Sequence, residues 1–222
     1  MAYENVAIVG TSFSAPAVLG VAIQAHQYEG WFSALAFPMV NKAILIAAAR
    51  DANSDNRVGM GLTWSSNAPS QDAKDGAGQI FYPSLKTILD NNRYYYNDLA
   101  DSMFASCGTN CREFVVGTVA VPAGIAVRVA LAWQACVLTE TGVPTLNNDL
   151  DLRLTCGNET ALCGQSYTSN TVTSEMEVLE RPGCSQAKTC TIRIRIKNGA
   201  TLAACGSTPT ERVGVAWSLN SW

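Results

Sequence analysis

Residues 191–197 read Thr-Ile-Arg-Ile-Arg-Ile-Lys. Three isoleucines alternate with cationic residues, a two-residue period that places the apolar side chains on one face of an extended strand and the charges on the other. A helix, with its 3.6-residue period, would scatter the same isoleucines around its circumference. A strand with one apolar and one charged face belongs to an antiparallel sheet. Five further runs, at 114–121, 126–133, 149–155, 171–179 and 212–219, are rich in β-branched and apolar residues and bounded by turn-formers. Loops are expected at 183–188 and 199–210. Six strands with no helix between them predict an antiparallel sandwich over residues 106–222.

Residues 1–105 have another texture. An apolar, helix-like stretch runs from Ser12 to about residue 25 and gives way at Tyr28-Glu29-Gly30. Pro38 suits the first position of a second helix over 39–50, rich in Ala, Ile and Leu. Residues 51–74 carry Asp, Asn, Ser and Gly without periodicity and read as a long loop. The turn Asp75-Gly76-Ala77-Gly78 leads to Pro83, which opens a short helix to about residue 89.

With 48% hydrophobic and 15% charged residues, the chain has the makeup of a folded globular protein. A net charge of −3 and the lack of a basic run give no polyanion-binding character, so no nucleic-acid partner is expected. No apolar run reaches the roughly 18 residues that cross a bilayer, so no membrane partner is expected. All eight cysteines fall between Cys107 and Cys205. An even number gathered in one half predicts up to four disulfides in an exported module, with Cys107 and Cys111, and Cys184 and Cys190, near enough to staple loops. Spacings such as that from Cys156 to Cys163 do not make the short paired knuckles of a structural zinc site. Asn158-Glu159-Thr160 is a glycosylation sequon.

The chemistry-bearing segment is Gly10-Thr11-Ser12-Phe13-Ser14-Ala15-Pro16. A serine where loop turns into helix has its hydroxyl at the positive end of the helix dipole, beside backbone N–H groups that have no intrahelical partner. That suits a nucleophile whose attack creates an oxyanion. Gly-Thr-Ser alone is equally an ordinary helix N-cap. The full heptapeptide, with 6–9 as a strand before it and a helix after it, resembles the nucleophile motif of the subtilases, the subtilisin-like serine proteases. The resemblance makes Ser12 the nucleophile and a protein or peptide the substrate. The order of nucleophile helix, Ala-rich helix, Gly-Ala-Gly turn and last helix is similar to the end of a subtilase catalytic domain. The phrases at 127–133, ending in Trp133, and Asn148-Asp149-Leu150-Asp151-Leu152 resemble the jelly-roll sandwich that follows that domain in some secreted subtilases.

A subtilase triad runs Asp, His, Ser along the chain, and only eleven residues precede Ser12. The single histidine, His26, lies fourteen positions on; on one helix that is roughly 21 Å, against the 3 Å or so that a general base requires. The expectation is therefore a C-terminal protease fragment, extracellular in origin, lacking the N-terminal part of its catalytic domain and its side-chain oxyanion donor, and inactive alone. The corresponding fold class is α+β, a helical C-terminal remnant of a subtilisin-like α/β domain (1–105) followed by an antiparallel, jelly-roll-like β-sandwich (106–222). No cofactor is required for catalysis. The resemblance implies structural calcium at Asp149 and Asp151, although Gln134 and Ala135 stand where an acidic ligand follows the Trp in the relatives. The competing function is a binding or stabilising sandwich with a vestigial protease segment, its aromatic platform drawn from Trp133, Trp217, Trp222 and Tyr94-Tyr95-Tyr96.

Overall fold

The computed structural model describes residues 11–28, 38–50, 79–134, 148–157, 166–168, 176–181, 183–196, 199–202 and 210–220. Helices α1 (Thr11–Tyr28) and α2 (Pro38–Ala48) come first. An antiparallel ribbon of β1 (Ala49–Arg50) and β2 (Gln79–Ile80) leads to α3 (Tyr82–Asp90). Strands follow: β3 (Tyr94–Ala100), β4 (Ala105–Gly108), β5 (Cys111–Val121), β6 (Ala126–Trp133), β7 (Leu150–Cys156), β8 (Ser166–Thr168), β9 (Met176–Arg181), β10 (Lys188–Ile196) and β11 (Thr210–Asn220).

The strands form two sheets, ordered β4-β5-β10-β7-β8 and β3-β11-β6-β9, with every pairing antiparallel. Leaving aside β4, a short hairpin strand on β5, the chain pairs from its outer strands inward. β3 meets β11, β5 meets β10, β6 meets β9 and β7 meets β8, the pairs falling alternately in one sheet and the other. This folded-over ribbon is the jelly-roll arrangement of a double-sheet sandwich.

The core between the sheets is made by alternation. Ile192, Ile194 and Ile196 of β10 and Leu150, Leu152 and Leu154 of β7 face Val127, Val129, Leu131 and Trp133 of β6 and Val213 and Val215 of β11. Each such buried side chain contributes about 1.5–3 kcal/mol relative to exposure. Cys190 and Cys156, opposite each other across β10 and β7, form a disulfide in this core.

The other face of the four-stranded sheet carries a second core. Val40, Ala43, Ile44 and Ala47 of α2, spaced as one helical face, pack with Leu85, Ile88 and Leu89 of α3 against Ala130, Ala132, Val178 and Ala216. Small residues let the helix come close. At Gly214 the space that a Cβ would fill is already occupied by the Met39 and Val40 backbone. Ser218 Oγ donates to the Ala47 carbonyl at 2.7 Å. The fully buried Arg128 donates through Nη1 to the Ala49 carbonyl, with Glu180 as its register partner on β9. β6, covered on both sides, is buried along its whole length.

The expected α+β class, with a helical remnant standing ahead of a separate sandwich, is corrected by this packing. The chain is an antiparallel β-sandwich, and its helices are a layer applied to one sheet. The reason is the face of Ala130, Ala132, Gly214, Ala216 and Ser218, whose small side chains would otherwise lie open beside a buried guanidinium. β3, ahead of residue 106, is an edge strand of the same sheet. A second correction concerns Cys190, which pairs with Cys156 and not with Cys184, because β10 is hydrogen-bonded along β7. The expected Cys107–Cys111 staple is present at the β4–β5 hairpin.

Candidate functional site

Ser12 is the second residue of α1. Pro16, four positions on, has no N–H to give to the Ser12 carbonyl, so the first turn lacks one internal hydrogen bond. Gly10 and the expected strand at 6–9 lie outside the described residues, and of residues 11–17 only the helical backbone is described. His26 is on the same helix as Ser12. At about 1.5 Å per residue the two backbones are roughly 21 Å apart, beyond any proton transfer between them.

The next helical turns are defined by packing. Val21 and Ala25 sit against the helix-side core. A shallow apolar crevice between the helices is lined by Ala22, Ala25, Asn41, Ile44, Leu45 and Leu85. Ala22 is ten residues beyond Ser12, about 15 Å along the axis. The crevice is therefore no part of a site at Ser12. Val18, Leu19 and Ile23 project from α1 into solvent with 40%, 61% and 49% of their surface exposed. An uncharged helix with apolar residues all round belongs in an interior, and here one side of it is bare.

The two phrases singled out in the second half meet in space. The Trp133 indole N–H donates to the Asn148 carbonyl at 3.1 Å. Asn148 Nδ2 in turn donates to Glu211 Oε2 at 2.6 Å. Glu211 is buried at the start of β11, with the Gln134 and Arg212 backbone N–H groups beside its carboxyl. Burial raises its carboxyl to about 7, against the pull of the Asn148 hydrogen bond. Sequence reasoning passed over Glu211. Its parity with Val213 and Val215 was the available sign that it points inward.

The calcium expected at Asp149 and Asp151 needs six to eight oxygen ligands. Asp151 is buried on β7 with Arg195 as its register partner on β10. Among the described residues, neither aspartate belongs to a group of three converging ligand atoms; the one such group is Cys107, Cys111 and Glu113, whose cysteines are already bonded to each other.

Among the described residues, the aromatic candidates do not gather into an exposed platform. Trp133 is core, and Trp217 packs against the inter-sheet core. Tyr95 points into that core, stacked near Phe114 at 5.8 Å, while Tyr94 and Tyr96 pack on the helix side. Trp222 lies outside the described residues. Compared with known proteins, the chain matches no family model and no curated sequence.

Proposed function

We propose that this chain is the C-terminal part of a subtilisin-like serine endopeptidase and that Ser12 is its nucleophile. One observation carries the reading: the heptapeptide is complete in the sequence from Gly10 to Pro16, and from Thr11 on it opens a long, uncharged helix. The bare apolar side of α1 supports it, as does the hydrogen bond that ties Trp133 to Asn148, since both belong to phrases that resemble those of secreted subtilases.

In this reading the Ser12 hydroxyl attacks the carbonyl of a peptide bond. A histidine outside this sequence accepts the proton and passes it to the leaving amine. The Ser12 N–H, unpaired in the first helical turn, donates to the oxyanion of the tetrahedral intermediate. Water then hydrolyses the acyl-enzyme. His26 takes no part. Without a base the 222-residue chain is inert, because losing the base of such a triad costs nearly as much as losing all three members, a lesson borrowed from subtilisin itself. The disulfides support an exported parent protein. Calcium at Asp149 and Asp151 requires further oxygen ligands; a thermal scan with and without chelator tests it, and an unchanged Tm removes calcium from the account.

The test of the enzymatic reading is peptide hydrolysis by a polypeptide extended upstream of Met1 from the coding sequence. Activity that disappears in Ser12→Ala supports the assignment. An upstream sequence without an Asp and a His in subtilase contexts, or activity that survives Ser12→Ala, overturns it.

A further inference from the structure

The β4–β5 hairpin brings three metal-ligating side chains together. Cys107, Cys111 and Glu113 offer two sulfurs and a carboxylate oxygen that all lie within 4.8 Å of one another. Cys111 and Glu113, two apart on β5, share one face of the strand. Cys107 joins them through a bulge. β4 pairs Ser106 with Arg112 and Gly108 with Cys111, so Cys107 is an extra residue in the register. Bulges re-aim side chains in this way. In the oxidised chain the two sulfurs are bonded to each other.

That bond closes only four residues, and other contacts hold the hairpin without it. Ala105 pairs with Glu113 below the bulge. Arg112 donates to both carboxylate oxygens of Asp101, at 2.7 and 3.0 Å, and to the Ala200 carbonyl at 3.2 Å. Gly199 lies so near the turn that a Cβ there would stand 2.9–3.1 Å from the backbone of Asn110 and Cys111. Cutting the disulfide therefore leaves the two sulfurs side by side. Glu113 is fixed as well. Arg153 Nη1 donates to its Oε1 at 2.8 Å, while Arg193 Nε stands 3.7 Å from its Oε2, beyond a hydrogen bond.

We propose that reduction of the Cys107–Cys111 disulfide creates a site for a thiophilic divalent cation of the zinc class, with both thiolates and the Glu113 carboxylate as ligands. A dithiol opens the bond. Its first sulfur attacks one cysteine and forms a mixed disulfide, its second displaces that cysteine, and its two protons pass to Cys107 and Cys111 as it leaves oxidised. Cys107 is exposed to such a reagent, whereas Cys156 and Cys190 are fully buried. The cation then releases both thiol protons to solvent. Zn–S bonds of about 2.3 Å and a Zn–O bond of about 2.0–2.2 Å set tetrahedral ligand atoms roughly 3.5–3.8 Å apart, which small side-chain movements reach from the present spacing. Two thiolates and a carboxylate around a dication leave one net negative charge. The Arg153 and Arg193 guanidinium groups beside Glu113 offset it, and Arg153 orients the carboxylate. Water takes the fourth position on the solvent side.

Cadmium titration of the intact chain tests this, before and after anaerobic reduction with a phosphine that is then removed. The ultraviolet thiolate–cadmium band reports binding at sulfur, and alkylation mapped by mass spectrometry reports which cysteines are reduced and which the metal shields. The expected result is one cadmium per reduced chain, displaced by zinc, with Cys107 and Cys111 shielded from alkylation; the oxidised chain gives no band. Cys107→Ser abolishes the band in the reduced chain, and Cys111→Ser does the same from the other side of the hairpin. Glu113→Gln, which keeps the side-chain volume, weakens binding at least about tenfold. A reduced chain that takes up no cadmium overturns the proposal. So does binding that survives both serine substitutions, which belongs to other thiols, or equal affinity in Glu113→Gln.

Discussion

At position 211 a carboxyl occupies an inward-facing site of β11, with Asn148 as its side-chain donor and the Gln134 and Arg212 backbone N–H groups beside it. Its folded pKa, about 7, stands above the ordinary 4.5. The folded state therefore holds this proton more tightly than the unfolded state. The stabilisation is fully present below about pH 4.5 and is lost as pH rises through about 7. Urea melts should show stability falling by about 3 kcal/mol between roughly pH 5 and 8 from this group. In Glu211→Gln, which still accepts from Asn148, that fall should vanish; a wild-type profile flat over the same range contradicts the burial argument. Asp101 works in the opposite sense. The Arg112 guanidinium, bonded to it at 2.7 and 3.0 Å, holds its carboxyl below the usual range. Its contribution is present at neutral pH and is lost in acid as pH falls through its depressed pKa. Gly214 shows a different kind of residue-level demand. Gly214→Ala drives a methyl group into the Met39–Val40 backbone and should cost about 2–3 kcal/mol in denaturant midpoint. An unchanged midpoint would mean that α2 does not lie on β11.

Elements differed in how far the sequence revealed them. β6 was expected at 126–133 and is found there, and β10, announced by its alternating isoleucines, is found at Lys188–Ile196. Pro38 opens α2, and Pro83 lies in the first turn of α3, as their fixed φ favours. β3 was missed because Tyr94, Tyr95 and Tyr96 form an unbroken aromatic run, without the alternation that marks one wet face. Both faces are in fact covered. The layering of helices on the sheet was hidden for a related reason. It depends on Ala130 and Ala132 of β6 lying beside Gly214 and Ala216 of β11, strands about eighty residues apart in the chain. Local pattern cannot report that adjacency. The Cys156–Cys190 pairing needed the same long-range knowledge of β7 beside β10. Replacing both with serine should cost about 3–4 kcal/mol, from the 34-residue separation that the bond closes. Loss of the Cys107–Cys111 pair, closing four residues, should cost about 2 kcal/mol. Equal losses from the two double variants would contradict this ranking. Arg128→Ala removes the fully buried donor to the Ala49 carbonyl and empties the space the side chain fills, and should cost about 2–4 kcal/mol in the same assay.

For the whole molecule, the sequence carried the Ser12 motif and the sandwich separately, and the packing joins the helices that follow the motif to the sandwich. α2 and α3 are bound to the four-stranded sheet by an apolar core, by Ser218 and by Arg128, so the sandwich supports the helices that follow the Ser12 segment. The motif around Ser12 is local and was read directly from seven consecutive residues. Glu211 and its partners were not, because Trp133, Asn148 and Glu211 converge only through the fold. The central claim is that the Ser12 hydroxyl performs acyl transfer when a base reaches it from outside this chain. Labelling with a fluorophosphonate, followed by mass-spectrometric mapping of the adduct, tests it directly. The account predicts an adduct on Ser12 in the polypeptide extended upstream and none in the isolated 222-residue chain. An adduct on another residue of the extended form, or equally fast labelling of the isolated chain, would contradict it.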